Sequence, residues 1–302
     1  MFPTITAGLD GSAASSDAAD WAAAEARRRG LPLRLVHAAA RQPDAAIPHT
    51  PLGSPGRQQE HWGDRLLRDA EARIQLRHPD LRIVGEQIAN EPVAGLLGAA
   101  ADAEMLVIGS QGLSAFASFL VGSVALGVVG RATRPVVLVR AARPAGEPPR
   151  PSAPPAASPR DVVLGLDLDR PSDAVIAFAF AAAAERQAVL RVIHGWYLPA
   201  YYTFGTEDIP ASQDVGGELA EQKKTALADA LRPWREKFPA VEVTAQAVIG
   251  RAAHHLVDSA RGTDLLVVGR RTRTSPLGGH IGSVTHAVLH HAVAPVAVVP
   301  HD

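Results

Sequence analysis

The sequence has no cysteine, which excludes disulfide staples, thiolate metal centres and a cysteine nucleophile, and agrees with a reducing compartment. Lysine is nearly missing too. It occurs only at Lys223, Lys224 and Lys237, so no G-x4-G-K-[ST] loop, with its lysine for the transferring phosphate, is present. An excess of basic charge is also lacking, since 30 Lys and Arg face 31 Asp and Glu for a net charge of −1. That balance gives no support for nucleic acid as a partner. The longest apolar run, Ala174–Ala184, lies between Asp173 and Glu185 and is far shorter than the ~20 residues of a membrane span. The opening "MFPTITAGLD" shows neither a basic n-region nor an apolar h-region. The expectation is a cytoplasmic protein with no membrane partner.

What is present is a repeat and a linker. Between Arg143 and Arg160 the chain reads "RPAGEPPRPSAPPAASPR", too rich in proline to hold a core. The flanking segments repeat each other. "ITAGLDGSAASSDAADWAAAEARRRGLPLRLVHA" matches "VVLGLDLDRPSDAVIAFAFAAAAERQAVLRVIHG", pairing Asp10 with Asp167 and His37 with His194. Later, "MLVIGSQG" and "VGSVALGVVGRATRPVVLV" match "LLVVGRRT" and "IGSVTHAVLHHAVAPVAVV", pairing Gly109 with Gly269 and Gly122 with Gly282. The expected organisation is a first domain over 1–142, a Pro-rich linker over 143–160 and a second domain over 161–302.

Within each copy, apolar stretches of strand length alternate with amphipathic or Ala-rich stretches of helix length. "TITAGLD", "LPLRLVHA", "LRIVGEQI", "EMLVIG" and "PVVLVR" read as strands. "AASSDAADWAAAEARRR", the region of "WGDRLLRDAEARIQL", "PVAGLLGAAAD" and "SVALGVVGRAT" read as helices, the first closed by Gly30. The fold class is α/β, two tandem doubly wound parallel sheets of Rossmann-like type. Ligands then belong beyond the carboxyl ends of the strands.

Asp10, His37 and Gly109 fall at such ends. From Gly109 the spacing is G-x2-G-x9-G-S, formed by Gly109, Gly112, Gly122 and Ser123. Glycines allow close approach of an anion and positive φ, and Gly122–Ser123 opens a helix whose first N–H groups favour negative charge. An ordinary turn with Ser123 as helix N-cap uses the same residues, and spacing alone does not separate the two.

With Asp10 and this glycine pattern, the whole of each half resembles the universal stress protein family, in its tandem two-domain, ATP-binding form. The resemblance implies the adenine nucleotide alpha hydrolase-like variant of the fold. It implies a bound adenine nucleotide, ATP or AMP/ADP. Asp10 and Ala38 would lie beside adenosine, with Gly8 and Leu9 leading into Asp10. Ile108 and Gly109 would lie under the ribose, with Ser110 next to them in the binding set, and Gly112, Gly122, Ser123 and Val124 around the phosphates. In the second half the matching set is Asp167, Gly195, Val268, Gly269, Arg270, Gly282, Ser283, Val284 and Thr285, with Thr272 where the motif has its second glycine. Asp10 and Asp167 could serve a magnesium ion through phosphate, or cap the following helix. If the Thr272 position needs positive φ, a β-branched residue weakens the second site, which Arg270, Arg271 and Arg273 could offset. The family fold also implies pairing through the last strands, "PVVLV" and "PVAVV", as a homodimer or inside the chain. The function implied is a nucleotide-binding stress-response regulator; a slow ATP hydrolase and an interaction module with vestigial sites are the alternatives. No catalytic residue and no resident metal are assigned.

Other features carry weaker expectations. His286 and His290 sit four residues apart on a helix and could share a metal, but lack the Glu of H-E-x-x-H. Trp21, Trp62, Trp196 and Trp234 read as core or interface anchors. Tyr197, Tyr201 and Tyr202 could form a lid over adenine in the second half.

Overall fold

The computed structural model describes residues 3–40, 55–110, 121–141, 161–198, 213–272 and 280–302. The linker 143–160 lies outside them. The chain divides into two compact units, one built on Met1–Arg150 and the other on Pro151–Arg271 with Ile281–Asp302.

In the first unit the order is β1 (Ile5–Gly8), α1 (Ala13–Arg29), β2 (Leu33–Ala38), α2 (Pro55–Arg77), β3 (Ile83–Ile88), α3 (Pro92–Ala101), β4 (Met105–Ser110), α4 (Ser123–Val129) and β5 (Val136–Arg140). The strands are parallel in the order β3-β2-β1-β4-β5. The chain winds outward through β2 and β3 on one side of β1 and through β4 and β5 on the other. The carboxyl ends of β1 and β4 are therefore the switch point, where ligands bind in such sheets. Gly8 is in register with Ile108, the residue before Gly109, so the turn that carries Asp10 leaves β1 beside the end of β4.

Capping and small residues decide the local structure. Ser12 caps α1 by accepting a hydrogen bond from the Ser15 N–H at 3.1 Å. Gly30 closes the helix at φ 64°, donating to Ala26 and Arg27 carbonyls, with Arg27, Arg28 and Arg29 in the last turn. The buried stripe of α1 is Ala14, Ala18, Ala19, Ala22, Ala23 and Ala26, which lets the helix lie close on the sheet. The one buried carboxylate of that face, Glu25, is paired with Arg28 and, at 2.7 Å, with Arg29.

The second unit repeats the plan with β6 (Val162–Gly165), α5 (Asp173–Arg186), β7 (Leu190–Trp196), α6 (Gln213–Lys237), β8 (Val243–Ile249), α7 (Ala252–Ser259), β9 (Leu265–Arg271), α8 (Ser283–His291) and β10 (Val296–His301). Its parallel order is β10-β9-β6-β7-β8, which places the switch point between β6 and β9. Among the described residues no helix is long and apolar enough to cross a membrane.

The two units differ in their first helix. α1 begins three residues after Asp10, whereas α5 begins six residues after Asp167, with Ser172 as N-cap. Pro171 sits where the repeat has Ala14, and proline disfavours helix in the residue before it, which delays the start.

Candidate functional site

The turn after β1 is held by its own side chains. Asp10 Oδ1 accepts the Ser12 N–H at 2.9 Å, and the Asp10 N–H donates to Ser15 Oγ at 3.3 Å. Gly11 between them has φ 82°, where a side chain is strained, and a Cβ there would meet Trp62 Cζ2 at 2.8 Å. Asp167 repeats the turn by accepting the Asp169 N–H at 3.0 Å. Neither aspartate caps the following helix as the sequence allowed; Ser12 and Ser172 hold those positions.

Burial pushes the Asp10 carboxyl up, but hydrogen bonds from Ser12 and Ser15 outweigh it and hold it below its ordinary value. A carboxyl lowered in the folded state adds stability that is present above the unfolded value of ~3.9 and is lost as pH falls through the folded value. The stabilities of the wild type and Asp10→Asn should therefore be furthest apart above the unfolded value of ~3.9 and draw together as pH falls through the lowered folded value. The gap will be small because the side chain is exposed. A constant gap at all pH values would contradict the carboxylate role.

The glycines fall into two kinds. A Cβ on Gly109 would collide with backbone of the first turn of α1, at 2.5 Å from Ser15 N and 2.6 Å from Ala14 O. Gly195 likewise faces backbone, at 2.5 Å from Ala252 Cα. These glycines let a helix lie on a strand end. Gly269 is different, because the helix starts later there and His301 Nε2 stands 2.8 Å from its would-be Cβ. Gly122 and Gly282 form the second kind. Nothing among the described residues lies within 4 Å of a Cβ on either, and their φ values of −64° and −61° suit any residue.

Three sequence expectations need correction here. None of Gly109, Gly122, Gly269 and Gly282 has positive φ, so left-handed backbone is not what they supply. Thr272 has no positive φ either, and the strain expected of a β-branched residue is not there. Ser123 is the first residue of α4 and Gly122 its cap, which removes the serine N-cap alternative. The first bond of α4 runs from Leu126 N–H to Gly122 O at 3.0 Å, so the N–H groups of Ser123, Val124 and Ala125 have no acceptor within the helix. In α8 the matching bond is His286 N–H to Gly282 O at 2.8 Å. Val124 and Val284 are exposed beside these ends, at 37% and 36%.

The other expected residues are placed as follows. Gly8, Leu9 and Ile108 are buried; a Cβ on Gly8 would touch Leu96 and Ile108. The Ala38 side chain packs on α3, where a Cβ on Gly95 would be 2.8 Å from it. Ser110 is buried at the end of β4, and Val268 within β9. Thr285 Oγ1 donates to Gly269 O at 2.8 Å, tying α8 to β9. Arg270 is buried, and desolvation lowers its pKa as it does that of Arg140 at the end of β5. Arg271, Thr272 and Ser283 are exposed. Gly112, Arg273, Tyr201 and Tyr202 lie outside the described residues, while Tyr197 is exposed.

Trp62 departs from the core role expected of it. It is 42% exposed, lies against Gly11 and meets the His37 ring edge-on at 5.2 Å. Nothing in the local pattern of α2 signals this, because the contact joins residues far apart in sequence. Rings of His286 and His290 are 4.4 Å apart, yet among the described residues no group of three or more His, Cys, Asp or Glu could hold a metal.

The universal stress protein family matches the chain twice, over residues 1–140 and 159–300. The chain belongs to the universal stress protein family. Universal stress protein Rv2623 of Mycobacterium tuberculosis is 32% identical over 301 residues, covering 97% of this chain and 95% of the relative. Universal stress protein Rv2005c of the same organism is 31% identical over 304 residues, covering 97% and 96%. Among solved structures, a universal stress protein from Archaeoglobus fulgidus DSM 4304 aligns over 99% of this chain and 98% of its own, with a TM-score of 0.64 and 16% identity. That likeness concerns the fold, the tandem α/β universal stress protein architecture.

Proposed function

We propose that this universal stress protein binds an adenine nucleotide, ATP or its AMP/ADP relatives, beyond the strand ends of each unit, and that occupancy shifts it between conformational or oligomeric states. The observation that carries the reading is the pair Gly122 and Gly282. Among the described residues neither packing nor backbone conformation calls for glycine there, and both stand at a helix start. A glycine that the protein's own atoms do not require leaves room for an atom from outside the chain. A phosphate oxygen against the N–H groups of Ser123–Ala125 or Ser283–Thr285 suits that room. Asp10 and Asp167 stand at the neighbouring strand ends for the nucleoside, or for a magnesium ion through phosphate.

The absence of lysine from both loop sequences favours holding a nucleotide over cleaving it. Switching requires that the nucleotide prefer one state of the protein, since equal affinity for two states shifts nothing. The two sites differ in charge, because Arg270 and Arg271 stand where the first unit has Ser110 and Gln111. Thermal unfolding with millimolar ATP and with millimolar guanosine triphosphate tests the reading. A ligand at 100 times its dissociation constant adds about 2.7 kcal/mol. The expected result is a rise with ATP that exceeds the rise with the guanine nucleotide; no shift with ATP would contradict binding.

A further inference from the structure

One side chain recurs at the same place in both units and has no role above. His37, the next-to-last residue of β2, is buried, and its Nδ1 lies 2.8 Å from the carbonyl oxygen of Leu9. His194 in β7 is also buried, with Nδ1 3.0 Å from the Leu166 carbonyl. A carbonyl only accepts, so Nδ1 carries the proton in each. The other nitrogen, Nε2, is buried in both residues and has no hydrogen-bond partner among the described residues.

An imidazole with a buried, unsatisfied Nε2 is a poor choice for packing alone, since an apolar side chain fills the same space without that cost. What the histidine contributes is therefore the Nδ1–H bond. Its acceptor belongs to the residue immediately before Asp10 in one unit and before Asp167 in the other. The same residues are held from the other side of the peptide, by Leu9 N–H to Val36 O at 2.8 Å and Leu166 N–H to Ile193 O at 3.0 Å. Both polar groups of the residue before the aspartate are thus tied to the neighbouring strand. In the first unit the Trp62 ring lies on both His37 and Gly11 and closes the bracket around Asp10.

We infer that His37 and His194 are positioning residues, whose Nδ1–H bonds fix the peptide ahead of Asp10 and Asp167 and so aim those carboxylates at the nucleoside part of the ligand. This rests on the nucleotide reading above. It predicts that loss of the His37 bond weakens nucleotides through Asp10 and leaves the phosphate end untouched.

The test is a double-mutant cycle on the full chain with His37→Phe, Asp10→Ala and the pair, and with His37→Asn, whose amide nitrogen can take the place of Nδ1. Binding of ATP, AMP and inorganic tripolyphosphate is followed by calorimetry. His37→Phe should weaken ATP and AMP at the first site about tenfold, the size expected for one lost buried hydrogen bond. His37→Asn should recover most of that loss, tripolyphosphate should be unaffected, and His37→Phe should have no further effect on top of Asp10→Ala. Additive losses in the cycle, or an equal loss for tripolyphosphate, would overturn the inference, because a merely structural histidine would behave so. Should His37→Phe not fold, His37→Leu enters the same cycle. If the wild type binds no nucleotide, the functional proposal fails, and the clamp is decided by NMR titration of the Asp10 carboxyl. A midpoint raised towards the usual carboxylate value in His37→Phe, and not in His37→Asn, supports the clamp; an unchanged midpoint overturns it.

Discussion

Gly109→Val should destabilise the first unit by about 3 kcal/mol, lowering its melting temperature by about 10 °C and leaving the second unit unchanged. The cost follows from what a Cβ meets. Ser15 N and Ala14 O lie 2.5 and 2.6 Å from it, and these are backbone atoms of α1 that no rotamer change can move. The helix would have to lift from β4, taking with it the buried alanine stripe and Ser12 to Ser15, whose hydrogen bonds hold Asp10. Differential scanning calorimetry checks this. Each unit is compact by itself, and the trace should show one displaced transition and one in place. Two unmoved transitions would mean that α1 accommodates the side chain.

Gly122→Val is expected to do the reverse. The φ of −64° suits valine, and nothing among the described residues lies within 4 Å of its Cβ, so the fold should lose no more than about 1 kcal/mol, mostly through the poorer helix cap. ATP affinity at the first site should fall on the order of 100-fold, because the added methyl groups occupy the space in which a phosphate would meet the N–H groups of α4. On the proposed function, a glycine required for folding and a glycine required for the ligand sit in one motif. Comparing the melting temperature and the ATP affinity of the two variants separates them. Unchanged ATP affinity in Gly122→Val would remove the observation on which the functional proposal rests.

Much of this arrangement is legible in the sequence because the signals are local. The α1 stretch, with its terminal arginines and Gly30, carries its own start and stop, and the observed helix spans the residues the pattern indicates. Apolar strands at regular intervals, repeated after a Pro-rich segment, lead to the tandem α/β plan. The site was legible only in outline. Spacing picks out Gly109 and Gly122 together but cannot say that one faces a helix and the other open space, since the difference depends on where α1 lies. The same limit hides Trp62 over Gly11 and the His37 bond to Leu9, which joins residues 28 apart in sequence. The condition on which Thr272 would weaken the second site, a positive φ, is not met for a related reason, because β9 continues to Arg271.

Calorimetric titration of the full chain with ATP tests the central claim most directly. Two nucleotides per chain with unequal affinities are predicted, falling to one in Gly122→Val and to one in Gly282→Val. No heat of binding in the wild type, or a stoichiometry that neither substitution changes, would contradict it.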